Sequence, residues 1–156
     1  MITKVRIDHR LLHGQVAFSW IKSTHSDCIL IVSDEAASDE LRMSALRMAS
    51  PNNTKMVIKS VKDSAIALNT GVTDKYQLFI IVESIKEAAQ LTSLVKTIKE
   101  INIGGTKAGE DKKQISKAVF VSDEDIKLIK EMHQNGIRMN IRMIPDEPMQ
   151  DVMDLI

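Results

Sequence analysis

The chain of 156 residues has one cysteine, three prolines, six glycines and only 3% aromatic residues. With Cys28 alone, no disulfide can form within the chain. Its place in the apolar run Cys28-Ile29-Leu30-Ile31-Val32 marks a buried, unreactive thiol. Scarce aromatics remove the stacking platforms with which proteins hold single-stranded nucleic acid. Neither charge is in excess, with Lys+Arg and Asp+Glu at 21 each, and nothing resembles a polybasic tail. Both features argue against a nucleic-acid partner. Apolar runs such as Leu78-Phe79-Ile80-Ile81-Val82 are too short to span a bilayer. A signal-peptide core is missing from the N-terminus, so the expected location is the cytoplasm, with any membrane role exercised through a partner.

What is present is an ordinary globular composition, 44% apolar and 27% charged. The length predicts a single domain over residues 1–156 that buries roughly two-thirds of its unfolded surface. Strand signals fall at Thr3 to Asp8, Asp27 to Ser33, Lys55 to Ser60, Tyr76 to Glu83, Ile101 to Ile103, Ile115 to Val121 and Ile137 to Ile144. Tyr76 to Glu83 is the strongest and is expected to be central. Helical patterns lie between them. One starts at Gln15, and one runs from Ser38 to Ser50 with Leu41, Ala45, Leu46 and Ala49 as its stripe and Pro51 as its stop. A third opens at Ser60 and ends near Gly71; a fourth opens on the capping-box pattern Ser84-Ile85-Lys86-Glu87 and runs to about Ile98. Ser122 caps a fifth, which ends at Asn135-Gly136, and Pro145 to Pro148 turns into a short C-terminal helix.

This alternation predicts an α/β fold: a single-domain, open, mainly parallel sheet of about seven strands with helices on both faces. The dozen or so residues between Ile103 and Ile115 are too few for a parallel crossover, so the strand at Ile115 to Val121 is expected to run antiparallel. Gly104-Gly105 is read either as a bend forming a second wall of a site or as an ordinary tight turn. Trp20 and the many methionines are assigned to the core.

The chemistry concentrates in Val5-Arg6-Ile7-Asp8-His9-Arg10-Leu11-Leu12-His13-Gly14-Gln15-Val16. A strand feeding a helix through a turn sets free N–H groups and a positive helix end at one point, a natural seat for an anion. Arg10 adds a fork of donors suited to phosphate, and Gly14 allows close backbone approach. His13 is then a nucleophile beside a phosphate cradle; the plain alternative is a surface histidine or a backbone cap. A free imidazole, with a pKa near about 6.5, is neutral enough at cytoplasmic pH to attack phosphorus. Asp8 either orients Arg10 or the imidazole, or caps the strand end. Gln15 either bonds the phosphate or begins the helix. Loops at Asp8 to Gly14, Asp34 to Ala37 and Gly104 to Glu110 should meet at the carboxyl edge, with Lys107 able to attract a phosphorylated partner. His9 and His13 have a spacing that would suit a metal on a continuous helix, but the strand before them and Gly14 after them speak against one.

The motif Arg6-Ile7-Asp8-x-Arg10-Leu11-x-His13-Gly14-Gln15-Val16, followed by Trp20, resembles the opening of IIB subunits of the mannose/sorbose class of the sugar phosphotransferase system. Ser33-Asp34-Glu35-Ala36, Asn102-Ile103-Gly104-Gly105 and Lys113-Gln114-Ile115-Ser116 continue the likeness. His9 departs from it, standing where the family more usually has an acidic or small polar residue, and is read as pointing away from the phosphate. The resemblance implies that His13 accepts a phosphoryl group, through Nδ1, from a phosphohistidine on a IIA partner. It further implies that the group passes to a sugar bound by a membrane IIC/IID permease. No metal or organic cofactor is required, since such transfer needs mainly positioning and charge stabilisation. Two other readings stay open: a histidine phosphatase or phosphomutase, which places Arg directly before its His where this chain has Leu12, and a non-enzymatic flavodoxin-like module. The sugar and the oligomeric state, a homo-oligomer included, are not fixed by the sequence.

Overall fold

A computed structural model describes residues 1–156. Nine strands form: β1 Ile2–Asp8, β2 Cys28–Val32, β3 Lys55–Lys59, β4 Leu78–Val82, β5 Glu100–Gly105, β6 Lys113–Ser116, β7 Val119–Val121, β8 Arg138–Ile141 and β9 Gln150–Asp151. Seven make one sheet in the order β3-β2-β4-β1-β5-β8-β9, parallel except for β9. The middle strand is β1, not β4.

The helices are α1 Asp34–Ala37, α2 Glu40–Met48, α3 Val61–Thr70, α4 Ile85–Leu94 and α5 Asp123–Gln134, with a π-helical turn at Val16–Ile21 after β1. Strand alternation divides the core. Val5, Ile7, Leu30, Val32, Ile80 and Val82 pack beneath α3, α4 and α5 in a cluster of 25 buried residues. Ile29, Ile31, Phe79 and Ile81 face the π-turn, α1 and α2 in a cluster of 11. Each fully buried Leu, Ile or Val contributes about 1.5–3 kcal/mol, so β2 and β4, buried on both sides, hold the sheet together. Caps end the helices where the sequence places them: Ser60, Ser84 and Ser122 each accept an N–H three residues on. Gly71 (φ 82°) and Gly136 (φ 86°) take the left-handed conformation after α3 and α5.

Several expectations are corrected. Ile115 to Val121 is not one strand: it folds at Lys117-Ala118 into the antiparallel hairpin β6–β7, outside the main sheet. The sheet needs no antiparallel strand there because the hairpin and α5 together carry the chain to β8. In α2 only Leu46 is buried while Leu41 is 83% exposed, because this helix packs chiefly on α1 rather than on a strand. Met48 (88% exposed) and Met149 (58%) are not core residues, although Met132 and Met139 are. α4 ends at Leu94, short of Ile98, and β8 at Ile141, short of Ile144. The C-terminal segment after Pro148 forms β9 and a single 3-10 turn.

Candidate active site

β1 decides what the site contains. Val5 and Ile7 enter the larger core, so Arg6 and Asp8 face the other side, where the Trp20 ring lies 5.0 Å from the Arg6 guanidinium. Both are buried, Arg6 at 1% and Asp8 at 0% exposure. After Asp8 the chain turns sharply: Leu11 N–H donates to Asp8 O at 2.9 Å, and Leu11 sits at φ 59°. A left-handed leucine costs roughly 1–3 kcal/mol. Leu11 and Leu12 are both buried in the smaller core, and at about 1.5–3 kcal/mol each their burial outweighs that strain. The two leucines therefore pin the turn and leave Arg10 and His13 on its outer side.

His13 Nε2 lies 3.0 Å from Asp8 Oδ2. Asp8 Oδ1 accepts the Arg10 backbone N–H at 3.0 Å, with Arg10 Nε at 3.6 Å, and Oδ2 faces Arg6 Nη2 at 3.4 Å. Burial pushes the Asp8 carboxyl pKa up, but the His13 hydrogen bond, the Arg10 N–H and the Arg6 charge outweigh it and hold the group below the usual carboxylate range. An ionised carboxylate can only accept, so Nε2 must carry the proton it shares. The imidazole is thereby held as the Nε2–H tautomer, with the Nδ1 lone pair unused.

The helix begins at once. Its first turn closes from Ala17 N–H to His13 O at 3.0 Å, while Gly14, Gln15 and Val16 N–H find no acceptor in the chain. A Cβ at Gly14 would meet nothing within 4 Å, so glycine keeps this approach open rather than avoiding a clash. Gln15 makes no capping bond with its side chain. Asp8, Arg10, His13, Gly14 and Gln15 thus all lie in one turn, and Asp8 is both a partner of the imidazole and a ligand of the Arg10 N–H.

His9 and His13 sit in this turn, not on a continuous helix. His9 N–H donates to Gly105 O at 3.1 Å, and its ring lines a separate cleft of about 520 Å³ together with Glu35, Arg42, Glu83, Lys107 and Lys112. The segments after β1, β2, β4 and β5 meet there. Gly104 and Gly105 form no turn; they continue β5, although its register against β1 slips by one residue there.

Sequence reasoning missed two groups. Arg6 was given no role beyond its place in the strand and in the motif; the signal that could have found it is a glycine pair in the strand that neighbours it. The second is a carboxylate cluster in the cleft. Glu83 accepts from the Ser33 hydroxyl and pairs with Arg42 Nη2 at 2.7 Å. Beside it, burial and then the Glu83 charge raise the pKa of Glu87 to about 7. A carboxyl whose folded pKa lies above its unfolded value binds its proton more tightly when folded. Its stabilisation is therefore present near pH 4.5 and is lost as pH rises through about 7. The melting temperature should fall between pH 5 and pH 8, and Glu87→Gln should flatten that decline. Thermal denaturation followed by circular dichroism across this range is the check; an unchanged slope in the variant would contradict it.

The description "PTS system sorbose subfamily IIB component" belongs to the family model that matches residues 2–156. The sorbose-specific EIIB component of Lacticaseibacillus casei is 32% identical, over 98% of this chain and 93% of its own length. The mannose-specific EIIAB component of Escherichia coli is 32% identical over all of this chain, which spans 48% of that longer protein. Among solved structures, the IIBSor domain of the Klebsiella pneumoniae sorbose permease superposes with a TM-score of 0.93 at 28% identity, covering 99% of this chain and 94% of that one. No helix is long and apolar enough to cross a membrane. A likeness that runs the length of the chain, on a sheet whose middle strand ends in the carboxylate that holds a histidine of the following turn, places this protein among the sorbose-subfamily IIB components of the sugar phosphotransferase system, a family of phosphotransferases.

Proposed function

We propose that His13 is the phosphoryl acceptor and that Nδ1 is the attacking nitrogen. The observation that carries this is the 3.0 Å contact between His13 Nε2 and Asp8 Oδ2, which occupies one ring nitrogen and leaves the other free. The donor is a phosphohistidine on a IIA partner: its P–N bond breaks as the bond from Nδ1 to phosphorus forms. In the second step Nδ1 is the leaving group, a hydroxyl of a sugar held by a membrane IIC/IID permease gains the phosphoryl group, and that hydroxyl releases its proton. The chain works at the membrane through that permease. The fused E. coli relative, whose name joins a IIA to a IIB, supports a IIA partner. Relatives named for sorbose, fructose and mannose are each 30–32% identical along nearly the whole chain, which suits a carrier that does not select the sugar by itself.

Charge stabilisation comes from Arg10 and from the N–H groups of Gly14, Gln15 and Val16, which stand around the same turn. Phe18, 80% exposed on the helix that follows, offers a partner an apolar contact one turn away from His13.

Arg10 tests the assignment. A guanidinium fork engages two phosphate oxygens, whereas lysine offers a point charge. Arg10→Lys should slow transfer by about tenfold and Arg10→Ala by more, since one charge-assisted hydrogen bond contributes about 1.5–3 kcal/mol and tenfold in rate is about 1.4 kcal/mol. Its side chain is 47% exposed, so thermal stability should hardly change. Quench-flow transfer from phosphorylated IIA at low and high salt is the measurement. A deficit that survives high salt supports direct phosphate contact; one that vanishes with screening assigns Arg10 to long-range steering instead.

A further inference from the structure

Arg6 is a buried guanidinium beneath a surface reaction, and removing such a charge from water costs several kcal/mol unless its partners are placed for it. They are. Arg6 Nη1 donates to Asn102 Oδ1 and, at 3.1 Å, to Arg142 O. Nη2 donates to Met143 O at 3.2 Å and to Asp8 Oδ2 at 3.4 Å. The partners are themselves fixed. Asn102 Nδ2 donates to Asn140 Oδ1 at 2.9 Å, so Arg6, Asn102 and Asn140 form a polar row across β1, β5 and β8. Trp20 Nε1 donates to the same Met143 carbonyl at 2.8 Å while its ring lies against the guanidinium. Gly104 supplies the room. A Cβ there would lie 2.0 Å from Arg6 Cζ and 2.1 Å from Nη2, so any other residue would evict the guanidinium.

We infer that Arg6 is a positioning residue for phosphoryl transfer, and that Gly104 is glycine in order to house it. Arg6 shares Asp8 Oδ2 with His13, so it sets the rotation of the carboxylate that holds the imidazole. Its charge also offsets the repulsion between Asp8 and a phosphoryl group arriving on the ring. Burial lowers the Arg6 pKa to about 10, which leaves it charged at neutral pH. The inference rests on the reading of His13 given above, and goes beyond it by naming what keeps the His13–Asp8 pair in register.

The test uses Arg6→Lys and Gly104→Ala in the full chain. Neither residue touches His13. Lysine keeps the charge but cannot reach Asp8, Asn102 and two carbonyls together. Both variants should lower kcat for transfer from phosphorylated IIA by on the order of 10²-fold, the penalty typical of a small misplacement, with little change in KM. The ring 15N shifts of His13 should move from a single Nε2–H tautomer to a mixture. Folded variants with a wild-type tautomer and kcat would overturn the proposal and leave Arg6 a structural residue. Should the variants fail to fold, the wild type decides: the Arg6 guanidinium 15N resonances should shift when His13 is phosphorylated, and immobility of those signals overturns the coupling. If His13 takes no phosphate, the site reading fails instead, and the tautomer comparison, which needs no phosphate, still judges Arg6.

Discussion

Substituting His13 with alanine is expected to abolish acceptance of a phosphoryl group, with no detectable labelled protein where the parent chain labels fully. The other ring in the turn, His9, lines the neighbouring cleft instead and makes no contact with Asp8. The fold should survive. His13 is 19% exposed and its single side-chain hydrogen bond, to an ionised carboxylate, contributes about 1.5–3 kcal/mol, which lowers the melting temperature by about 3–12 °C in a chain of this size. His9→Ala should retain most transfer, because the His9 ring faces the neighbouring cleft rather than Asp8. Radiolabelled phosphoryl transfer from phosphoenolpyruvate through the general phosphotransfer proteins and a IIA measures both. Label persisting on the His13 variant, or lost from the His9 variant, would contradict the assignment.

The second large effect is expected at Asp8. An amide in its place accepts through one atom only and offers an N–H₂ that competes for the ring, so the tautomer with the lone pair on Nε2 becomes accessible. Where a carboxylate orients a catalytic imidazole, this exchange costs on the order of 10³–10⁴ in rate. Asp8→Asn should fall in that range for kcat. It should also destabilise the fold by about 3 kcal/mol, since Arg6 loses its buried counter-charge. The pH dependence follows in sign. Asp8 has a folded pKa below its unfolded value of 3.8, so its stabilisation is present above that value and is lost as pH falls below it through the folded pKa. Acid unfolding of the Asn variant should lose this component. Denaturant titrations at pH 7 and at pH 3 check both statements; equal stability of the two proteins at pH 7 would show that Asp8 does not compensate Arg6.

Much of the site was legible because its residues are consecutive. Asp8, Arg10, His13, Gly14 and Gln15 fall within one strand-to-helix turn, and local spacing was enough to gather them. β2 and β4 were legible because a strand buried on both faces needs an unbroken apolar run, and Ser60, Ser84 and Ser122 because helix caps act within three residues. What failed depended on contacts between distant segments. Period-two alternation shows that Arg6 and Asp8 share a face, but not that Trp20 and the Arg142–Met143 carbonyls cover it. Gly104 read as a bend because glycine usually signals conformational freedom; here it answers a volume demand from the adjacent strand. Leu41 matched a helical stripe, yet α2 packs chiefly on α1 and turns only Leu46 into the core. The Ser33–Glu83–Arg42 contacts join residues on three elements and leave no local signature.

The most direct test is to phosphorylate the isotopically labelled chain through IIA and identify the modified nitrogen from the phosphorus–ring couplings in 31P and 1H–15N spectra. Phosphorus bonded to Nδ1 of His13, with Nε2 still protonated toward Asp8, is the expected result. Phosphorus on Nε2, or on His9, would contradict it, since either would require the 3.0 Å contact between His13 and Asp8 to be irrelevant to the transfer.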